Sequence, residues 1–252
     1  MIQQADIENL SKIYQINEYV VAREYFQILF LKELYSENFS KNVFFKGGTA
    51  IRLIYGGHRF SEDLDFTCIE TEGFEEKIIN LFKRLKKEYA IDFKEKQTLT
   101  GKTYLLQGNL TYLNSPIFVR TDFSMRENVL EPTNQVLSTE YPVIVQDFIR
   151  VLSKNEILSE KVRAIIKRKK HRDIYDLWVL LELGAKLDEK LVKKKLEYYG
   201  ETFSKKSLTI ELKKFKKEEF VKDLSPLVNI EDRKKLKDLF DYVKKYLVKN
   251  IS

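Results

Sequence analysis

Two aspartates, Asp63 and Asp65, stand one residue apart in a short segment that alternates acidic and apolar side chains. Side chains two positions apart on a strand point to the same face, so residues 63–68 are predicted to form a β-strand with both carboxylates on one face. Two carboxylates held this close repel each other unless a cation lies between them. Ligation by oxygen alone suits Mg²⁺, with Mn²⁺ as the alternative, and substrate phosphates and water would complete the coordination.

A pair of glycines, Gly47 and Gly48, follows a short apolar run at residues 43–45. Such a run bounded by glycines predicts a buried strand that enters a tight turn. A helix is expected over residues 49–55, with Thr49 as its N-cap residue. Glycine lets backbone N–H groups come close to a phosphate, and a helix N-terminus favours the negative charge there. Gly47, Gly48 and Thr49 are therefore predicted to bind the phosphates of a nucleotide.

A third acid, Asp122, lies in a clear strand pattern at residues 117–123. A strand there could neighbour the strand of Asp63 and Asp65. Three carboxylates around two metal ions are a recurring arrangement for in-line attack on the α-phosphate of a nucleotide. Asp122 would then act in part as the base toward the acceptor hydroxyl or its metal. An acidic pair alone is more often a solvated face and a glycine pair a plain turn, but their order along the chain favours a metal site.

The residues from 46 to 52 (Lys-Gly-Gly-Thr-Ala-Ile-Arg) and from 59 to 66 (Arg-Phe-Ser-Glu-Asp-Leu-Asp-Phe) resemble the AbiEii/MenT-type toxin family. These are nucleotidyltransferase-like toxins of type IV toxin–antitoxin systems, within the DNA polymerase β superfamily. The resemblance covers about residues 40–180. It implies an α+β fold, in which a polymerase β-like nucleotidyltransferase domain with a short mixed sheet flanked by helices is followed by an all-helical domain.

The resemblance also implies an activity and partners. The expected reaction is the Mg²⁺-dependent transfer of a nucleoside monophosphate from a nucleoside triphosphate (NTP) to an acceptor hydroxyl, with release of pyrophosphate. The expected acceptor is RNA, at the 3′ end of tRNA, and the expected consequence is growth arrest. Asp63, Asp65 and Asp122 would be the catalytic metal ligands. A cognate antitoxin is expected as a functional partner.

A second motif lies further along the chain, where Lys161 precedes Asp173 and Asp176 in an order that resembles the family's downstream motif. The two aspartates, three residues apart, would share one helix face. The resemblance favours Lys161 as a catalytic residue that contacts triphosphate oxygens as a point charge. Asp173 and Asp176 would order Lys161 or Arg172, or contact the ribose or base of the nucleotide. The alternative for Asp173 is a helix N-cap.

Arg59 and Ser61 lie just before the acidic pair. Both are predicted to bind nucleotide phosphate. The alternative is that they anchor the loop that enters the strand of Asp63.

Charge is distributed unevenly along the chain. Residues 1–145 contain 17 Lys+Arg and 20 Asp+Glu, whereas residues 146–252 contain 28 and 18. A basic half beside an acidic half indicates a polyanion-binding surface, although lysine-rich solvated helices have the same composition. Six cations are predicted to contact RNA phosphates. They are Arg163, Lys167, Arg168, Lys169, Lys170 and Arg172.

The pattern of residue types along the sequence changes near Pro142. Residues 91–141 carry short alternating runs typical of β-strands, whereas the residues beyond Pro142 are predicted to be helical, including residues 146–152. The predicted domains are residues 1–144, for the nucleotidyltransferase domain, and residues 145–252, for the helical domain.

Several classes of protein are disfavoured by composition. A single cysteine, Cys68, cannot form an intrachain disulfide, and with two histidines it makes a closed zinc site improbable. Neither a signal-peptide pattern nor an apolar run of membrane-helix length is found, so a cytoplasmic protein without membrane contact is expected.

Three alternative functions compete with nucleotidyl transfer to RNA. A related enzyme could nucleotidylate a small molecule or a protein, which would not need a basic second half. A nucleotide- or RNA-binding module without turnover would keep the glycine turn yet lose an acid, whereas all three acids are present. A two-metal nuclease would also use clustered carboxylates, but it would not need the glycine turn.

Overall fold

The computed structural model describes residues 1–70, 72–98 and 101–251. The chain divides into two compact units. The first comprises Met1–Ile54 and Phe60–Leu152, and the second comprises Tyr55–Arg59 and the chain from Ser153 onward.

The first unit is built around a mixed sheet of seven strands in the order β3-β4-β5-β2-β1-β7-β6. The strands are β1 (Val43–Lys46), β2 (Asp63–Cys68), β3 (Asp92–Lys96), β4 (Lys102–Gly108), β5 (Ile117–Ser124), β6 (Pro132–Gln135) and β7 (Ile149–Leu152). The β2–β5 and β1–β7 pairs are parallel and the other neighbours are antiparallel.

Four helices accompany this sheet, and a 3₁₀ turn at Asn38–Asn42 precedes β1. The helices are α1 (Gln4–Tyr14), α2 (Glu18–Tyr35), α3 (Gly47–Leu53) and α4 (Phe74–Tyr89). Aromatic side chains join α2 and α4 to the sheet, since the ring of Phe30 lies 5.9 Å from Phe82 and 6.1 Å from Phe66. Phe66 in turn stacks on Phe123 at 4.9 Å. The core therefore lies on the sheet face that carries Phe66.

The second unit contains six helices among its described residues. They are α5 (Lys154–Lys167), α6 (His171–Glu182), α7 (Glu189–Glu197), α8 (Lys205–Lys214), α9 (Lys217–Leu224) and α10 (Ile230–Ile251). Helix α5 packs against α6, α7 and α8, and α10 packs against α6, α8 and α9. No helix in the described part of the chain is both long and apolar enough to cross a membrane.

Two local predictions were wrong. Residues 149–152 form β7 rather than a helix, because this four-residue run is held by pairing with β1 and β6, and it is too short to show a strand period. Helix α3 begins at Gly47, so Thr49 is not its N-cap. The alternative role of Asp173 as an N-cap does not apply, because Lys170 occupies the N-cap position of α6 and Asp173 lies inside the helix.

The pairing of β7 also carries the first unit to Leu152, beyond the predicted boundary at residue 144. The activity of each unit stays a prediction. The predicted α+β class, with a mixed sheet flanked by helices, is confirmed.

Candidate functional site

The three predicted carboxylates lie on adjacent strands of the first unit. In the parallel pairing of β2 with β5, Asp65 is the register partner of Asp122, and Asp63 is the partner of Arg120. Side chains of register partners project from the same face of a sheet, and Asp63 and Asp65 are two apart on one strand. All three carboxylates therefore project from one face. Leu64, between them, is fully buried on the other.

Arg120 neutralises part of this acidic face. Its guanidinium Nε lies 2.8 Å from the Asp122 carboxylate, which also accepts a hydrogen bond from the Thr103 hydroxyl. Burial would lower the pKa of Arg120, but the negative charges of Asp122, Asp63 and Asp65 outweigh it and raise that pKa. One cation thus lies in the field of all three carboxylates.

The donor set fits a hard divalent cation. Asp63, Asp65 and Asp122 offer only oxygen, the ligand type that Mg²⁺ and Mn²⁺ prefer. Within residues 1–70, 72–98 and 101–251, no three acidic, histidine or cysteine side chains are arranged as ligands of a single ion. The Asp122 carboxylate is in contact with Arg120 and Thr103.

The glycine turn and the acidic strand are in direct contact. Gly47 has a φ of +80°, and a Cβ atom at this position would overlap the carboxylate of Asp65. The Thr49 hydroxyl donates to the backbone carbonyl of Asp63. Only glycine can therefore occupy position 47 without displacing Asp65, and Thr49 fixes α3 against β2. Gly48 is buried in the first turn of the same helix.

A buried ion pair beside these residues was missed by sequence reasoning. Lys46, at the end of β1, is the register partner of Asp65, and its ammonium lies 2.8 Å from the Glu127 carboxylate. The side chains of Lys46 and Glu127 are 9% and 1% exposed. Glu127 lies between β5 and β6, where no periodic pattern marks it as a partner, so only the folded chain reveals the pair.

Helix α3 is held from its far end by Arg52. The guanidinium Nε of Arg52 lies 3.0 Å from the Glu24 carboxylate on α2, and its plane covers the Phe60 ring at 3.9 Å. The Tyr141 hydroxyl donates to the same glutamate at 3.2 Å. These contacts fix the orientation of the helix that follows the glycine turn.

Ser61 is anchored through its backbone. Its carbonyl accepts a hydrogen bond of 3.0 Å from the Gln27 side-chain amide on α2. This contact matches the anchoring interpretation of Ser61, while its predicted contact with phosphate stays a prediction.

The second unit brings together the residues of the downstream motif. Lys161 on α5 contacts Asp173 at 2.9 Å and Asp176 at 2.6 Å, both on α6. Arg59 binds Asp176 through two hydrogen bonds of 2.5 and 2.6 Å, and Arg168 contacts Asp173 at 2.9 Å. Cations and carboxylates therefore alternate along a chain of five charges, in which the aspartates order Lys161.

Burial and charge act in opposite directions on this network. Burial alone would raise the pKa values of Asp173 and Asp176, but the neighbouring cations outweigh it and hold both pKa values below their usual range. Lys161 is also buried, and the two carboxylates raise its pKa in spite of the burial. All three groups are charged at neutral pH. A contact between Lys161 or Arg59 and a triphosphate stays a prediction.

The predicted RNA-binding cations have different contacts, and their binding of RNA stays a prediction. Arg163 stacks over the ring of Tyr199 at 4.0 Å, Lys167 pairs with Glu201, and Lys169 lies 3.0 Å from Glu211. The remaining three are placed differently: Arg168 is exposed and paired with Asp173, Lys170 is exposed before α6, and Arg172 donates its backbone N–H to Asp223.

Comparison with solved structures gives a fold match over nearly the whole chain. MenT4, a nucleotidyltransferase toxin from Mycobacterium tuberculosis, is 17% identical with a TM-score of 0.66, over 100% of this chain and 94% of that one. JHP933 from Helicobacter pylori is 22% identical with a TM-score of 0.56, over 94% of each chain. No curated protein matches the sequence.

Comparison with protein families extends this result beyond the fold. A family described as nucleotidyl transferase AbiEii toxin, type IV toxin–antitoxin system, matches residues 29–245. This match spans most of the 252 residues and includes the glycine turn, the acidic strands and the downstream lysine motif. The chain belongs to the AbiEii family of nucleotidyltransferase toxins.

Proposed function

We propose that this nucleotidyltransferase transfers a nucleoside monophosphate from an NTP to a hydroxyl of RNA, at the 3′ end of tRNA, with Mg²⁺ as the cofactor and Mn²⁺ as its substitute. The observation that carries the proposal is the register of β2 and β5, which puts Asp63, Asp65 and Asp122 on one sheet face. The family implies an NTP substrate and a cognate antitoxin. Because NTPs and tRNA are cytoplasmic, we propose that the enzyme acts there.

The three aspartates are the proposed metal ligands. A divalent cation bound to them would neutralise phosphate charge and lower the pKa of the acceptor hydroxyl. Asp122 is the proposed base: its carboxylate would accept the proton of that hydroxyl. The hydroxyl oxygen then forms a bond to the α-phosphorus, and the bond from the α-phosphorus to the bridging oxygen breaks, so that pyrophosphate leaves.

The remaining residues are proposed to position the triphosphate. Gly47 and Gly48 would offer backbone N–H groups, and the side chain of Thr49 holds their turn against β2 through the Asp63 carbonyl. For Arg59, Ser61 and Lys161 we retain the predicted role of phosphate binding. Asp173 and Asp176 would keep the Lys161 ammonium charged and oriented, which their contacts of 2.9 and 2.6 Å support.

RNA is favoured as the acceptor by charge. The second half of the chain has 28 Lys+Arg against 18 Asp+Glu. Exposed cations such as Lys167 and Lys170 suit the phosphate backbone of a nucleic acid. A small-molecule acceptor would not require this excess of positive charge.

One experiment separates the proposal from its alternatives. The protein is incubated with Mg²⁺, total tRNA and each α-labelled NTP in turn. Label on RNA, without shortening of the chain, supports nucleotidyl transfer. Shortened RNA indicates a nuclease, and NTP binding without labelling of RNA indicates a binding module. Omission of Mg²⁺ with added chelator should abolish labelling, and Mn²⁺ should restore it.

A further inference from the structure

A small pocket of about 270 Å³ lies in the helical unit, where the start of α6 meets the turn between α8 and α9. Its lining residues come from two distant parts of the sequence. They are Lys169, His171, Lys214, Phe215, Lys216 and Glu219.

The pocket has a positive charge that is only partly neutralised. Lys169 and Lys214 share one carboxylate, that of Glu211, at 3.0 and 2.6 Å. Hydrogen bonds from Lys214 and Lys169 lower the pKa of Glu211, so this carboxylate is ionised at neutral pH. Lys216 adds a third ammonium group and Glu219 a second carboxylate. Of the lining residues, three carry an ammonium group and one, Glu219, carries a carboxylate, so an anion would be attracted to the pocket.

The wall of the pocket is aromatic. The rings of His171 and Phe215 meet edge to face, with centroids 5.0 Å apart, and Phe215 is buried. The backbone N–H of Lys216 donates to Nε2 of His171 at 3.2 Å, which leaves the proton of the neutral ring on Nδ1. Burial lowers the pKa of His171, so the ring is neutral at pH 7. The histidine can therefore donate one hydrogen bond without adding charge.

The backbone at Lys169 is unusual. Lys169 has a φ of +53°, in the left-handed region that favours glycine, and it follows the end of α5. A lysine at such a position is disfavoured relative to glycine. Its side chain nevertheless reaches Glu211 and lines the pocket. The strained residue, Lys169, therefore supplies one of the three ammonium groups at this site.

We propose that this pocket binds a phosphate group of the RNA acceptor's backbone, with Lys169, Lys214 and Lys216 as its cationic contacts; this inference rests on RNA as the proposed acceptor. Pockets for whole drug-sized ligands measure about 300–1,000 Å³, so a volume of about 270 Å³ suits a phosphate with its sugar better than an NTP. Lysine ammonium groups bind phosphate oxygens as point charges and carry no base specificity. The site would therefore hold RNA of any sequence.

The test measures RNA affinity in the absence of NTP and divalent cations. Binding of a short, labelled single-stranded RNA is followed by fluorescence anisotropy over a series of salt concentrations. The double variant Lys214→Gln/Lys216→Gln should bind about tenfold more weakly at 0.15 M salt. The slope of log affinity against log salt should fall by about 0.7, because one phosphate contact is lost.

A matched control comes from α10. The double variant Lys234→Gln/Lys237→Gln also removes two positive charges, and Lys234 pairs with Glu231 at i,i+3 just as Lys214 pairs with Glu211. This control should change RNA affinity less than about twofold. Equal losses in both variants, or no loss in the pocket variant, would overturn the proposal, because binding would then not depend on this pocket.

Two further measurements identify the source of the phosphate. The chain has two histidines, so the His171 ring signals can be assigned by NMR with a His171→Gln variant. These signals should shift on addition of the RNA, but not on addition of inorganic phosphate at the same concentration. NTP affinity should be unchanged in the pocket variant. A loss of NTP affinity, or an equal shift with inorganic phosphate, would contradict an RNA site.

This design separates the pocket from the proposed catalytic function. RNA binding is measured without NTP, so it does not depend on nucleotidyl transfer. A wild-type protein that labels no RNA would contradict the proposed function. The comparison of RNA affinities would still show whether the pocket binds RNA. Conversely, equal RNA affinity of the pocket variant and wild type would contradict the proposed role of the pocket. It would leave the labelling result unaffected.

Discussion

Asp65 on β2 and Asp122 on β5 are direct register partners in a parallel strand pair. This relationship places two acids that are far apart in sequence side by side, with Asp63 two residues along the same face. Lys46 on β1 is the partner of Asp65 on the other side, and Arg120 contacts Asp122. The acidic face is thus flanked by cations that offset the repulsion among its carboxylates.

Asp65→Asn should abolish transfer without unfolding the protein. The substitution removes a proposed metal ligand, so the rate of labelling should fall by at least about a hundredfold. Asparagine keeps the shape of the side chain and removes a repelling charge, so the free energy of unfolding should change by less than about 1 kcal/mol. Labelling kinetics and urea unfolding measure the two effects.

The control for this variant is Asp92→Asn. Asp92 is an exposed acid on β3, an edge strand of the same sheet, and pairs with Lys86. Its removal should leave the labelling rate within about twofold of wild type. Full activity of the Asp65 variant would show that the proposed site is wrong.

Gly47→Ala should inactivate the enzyme, whereas Gly56→Ala should not. Both glycines have a positive φ, +80° and +78°, so alanine meets the same backbone penalty of about 1 kcal/mol at either position. At Gly47 the added Cβ also overlaps the Asp65 carboxylate, whereas at Gly56 it has nothing within 4 Å. The difference between the variants in labelling rate and unfolding free energy isolates the displacement of Asp65. Equal effects would contradict this contact.

Asp176→Asn should destabilise the protein strongly. The substitution leaves the buried cations Arg59 and Lys161 with less compensating charge, at a cost of about 3–5 kcal/mol. Asp241→Asn removes the exposed partner of Lys217 and should leave the free energy of unfolding close to that of wild type. Urea unfolding at pH 7 compares the two. Similar costs would indicate that the Asp176 network adds little to stability.

Stability should fall at acid pH because of Asp173 and Asp176. Their pKa values are held below the ordinary value of 3.8 in the folded chain, so the unfolded chain binds protons first as the pH falls. The stabilisation is complete above about pH 5 and is lost as the pH falls through 3.8 and below, by up to about 1.4 kcal/mol per pH unit for each proton taken up. Unfolding free energies at pH 5 and pH 3 measure the loss. An Asp173→Asn variant should show a smaller decrease over this interval, and an unchanged decrease would contradict the assignment.

Lys46 and Glu127 should be energetically coupled. Lys46→Met or Glu127→Met alone leaves a buried charge without its main partner, and each should cost about 3–5 kcal/mol. The double variant should cost less than the sum by more than about 1 kcal/mol, since it leaves neither charge behind. A double-mutant cycle of unfolding free energies checks this. Strict additivity would show that the pair contributes no coupling.

Local patterns predicted much of the first unit. The alternation of residues 63–68 predicted β2, the strand pattern of residues 117–123 predicted β5, and both elements are present. Residues 149–152 could not be assigned from sequence, because a strand of four residues has no measurable period and is defined by its neighbours β1 and β6. The sequence left two roles open for Asp173, a helix N-cap and a site residue, because both are compatible with an acid near the start of a helix.

The residue types and their short spacings by themselves indicated a metal and phosphate site, because two acids at a strand period and a glycine pair before a helix are local features of the sequence. Tertiary structure alone decided which distant residues lie beside these local features. The register of Asp65 with Asp122, the pairing of Lys46 with Glu127, and the meeting of Lys169 with Lys214 each join distant parts of the chain. No sequence period relates such partners, because their proximity is set by strand pairing and helix packing rather than by position along the chain.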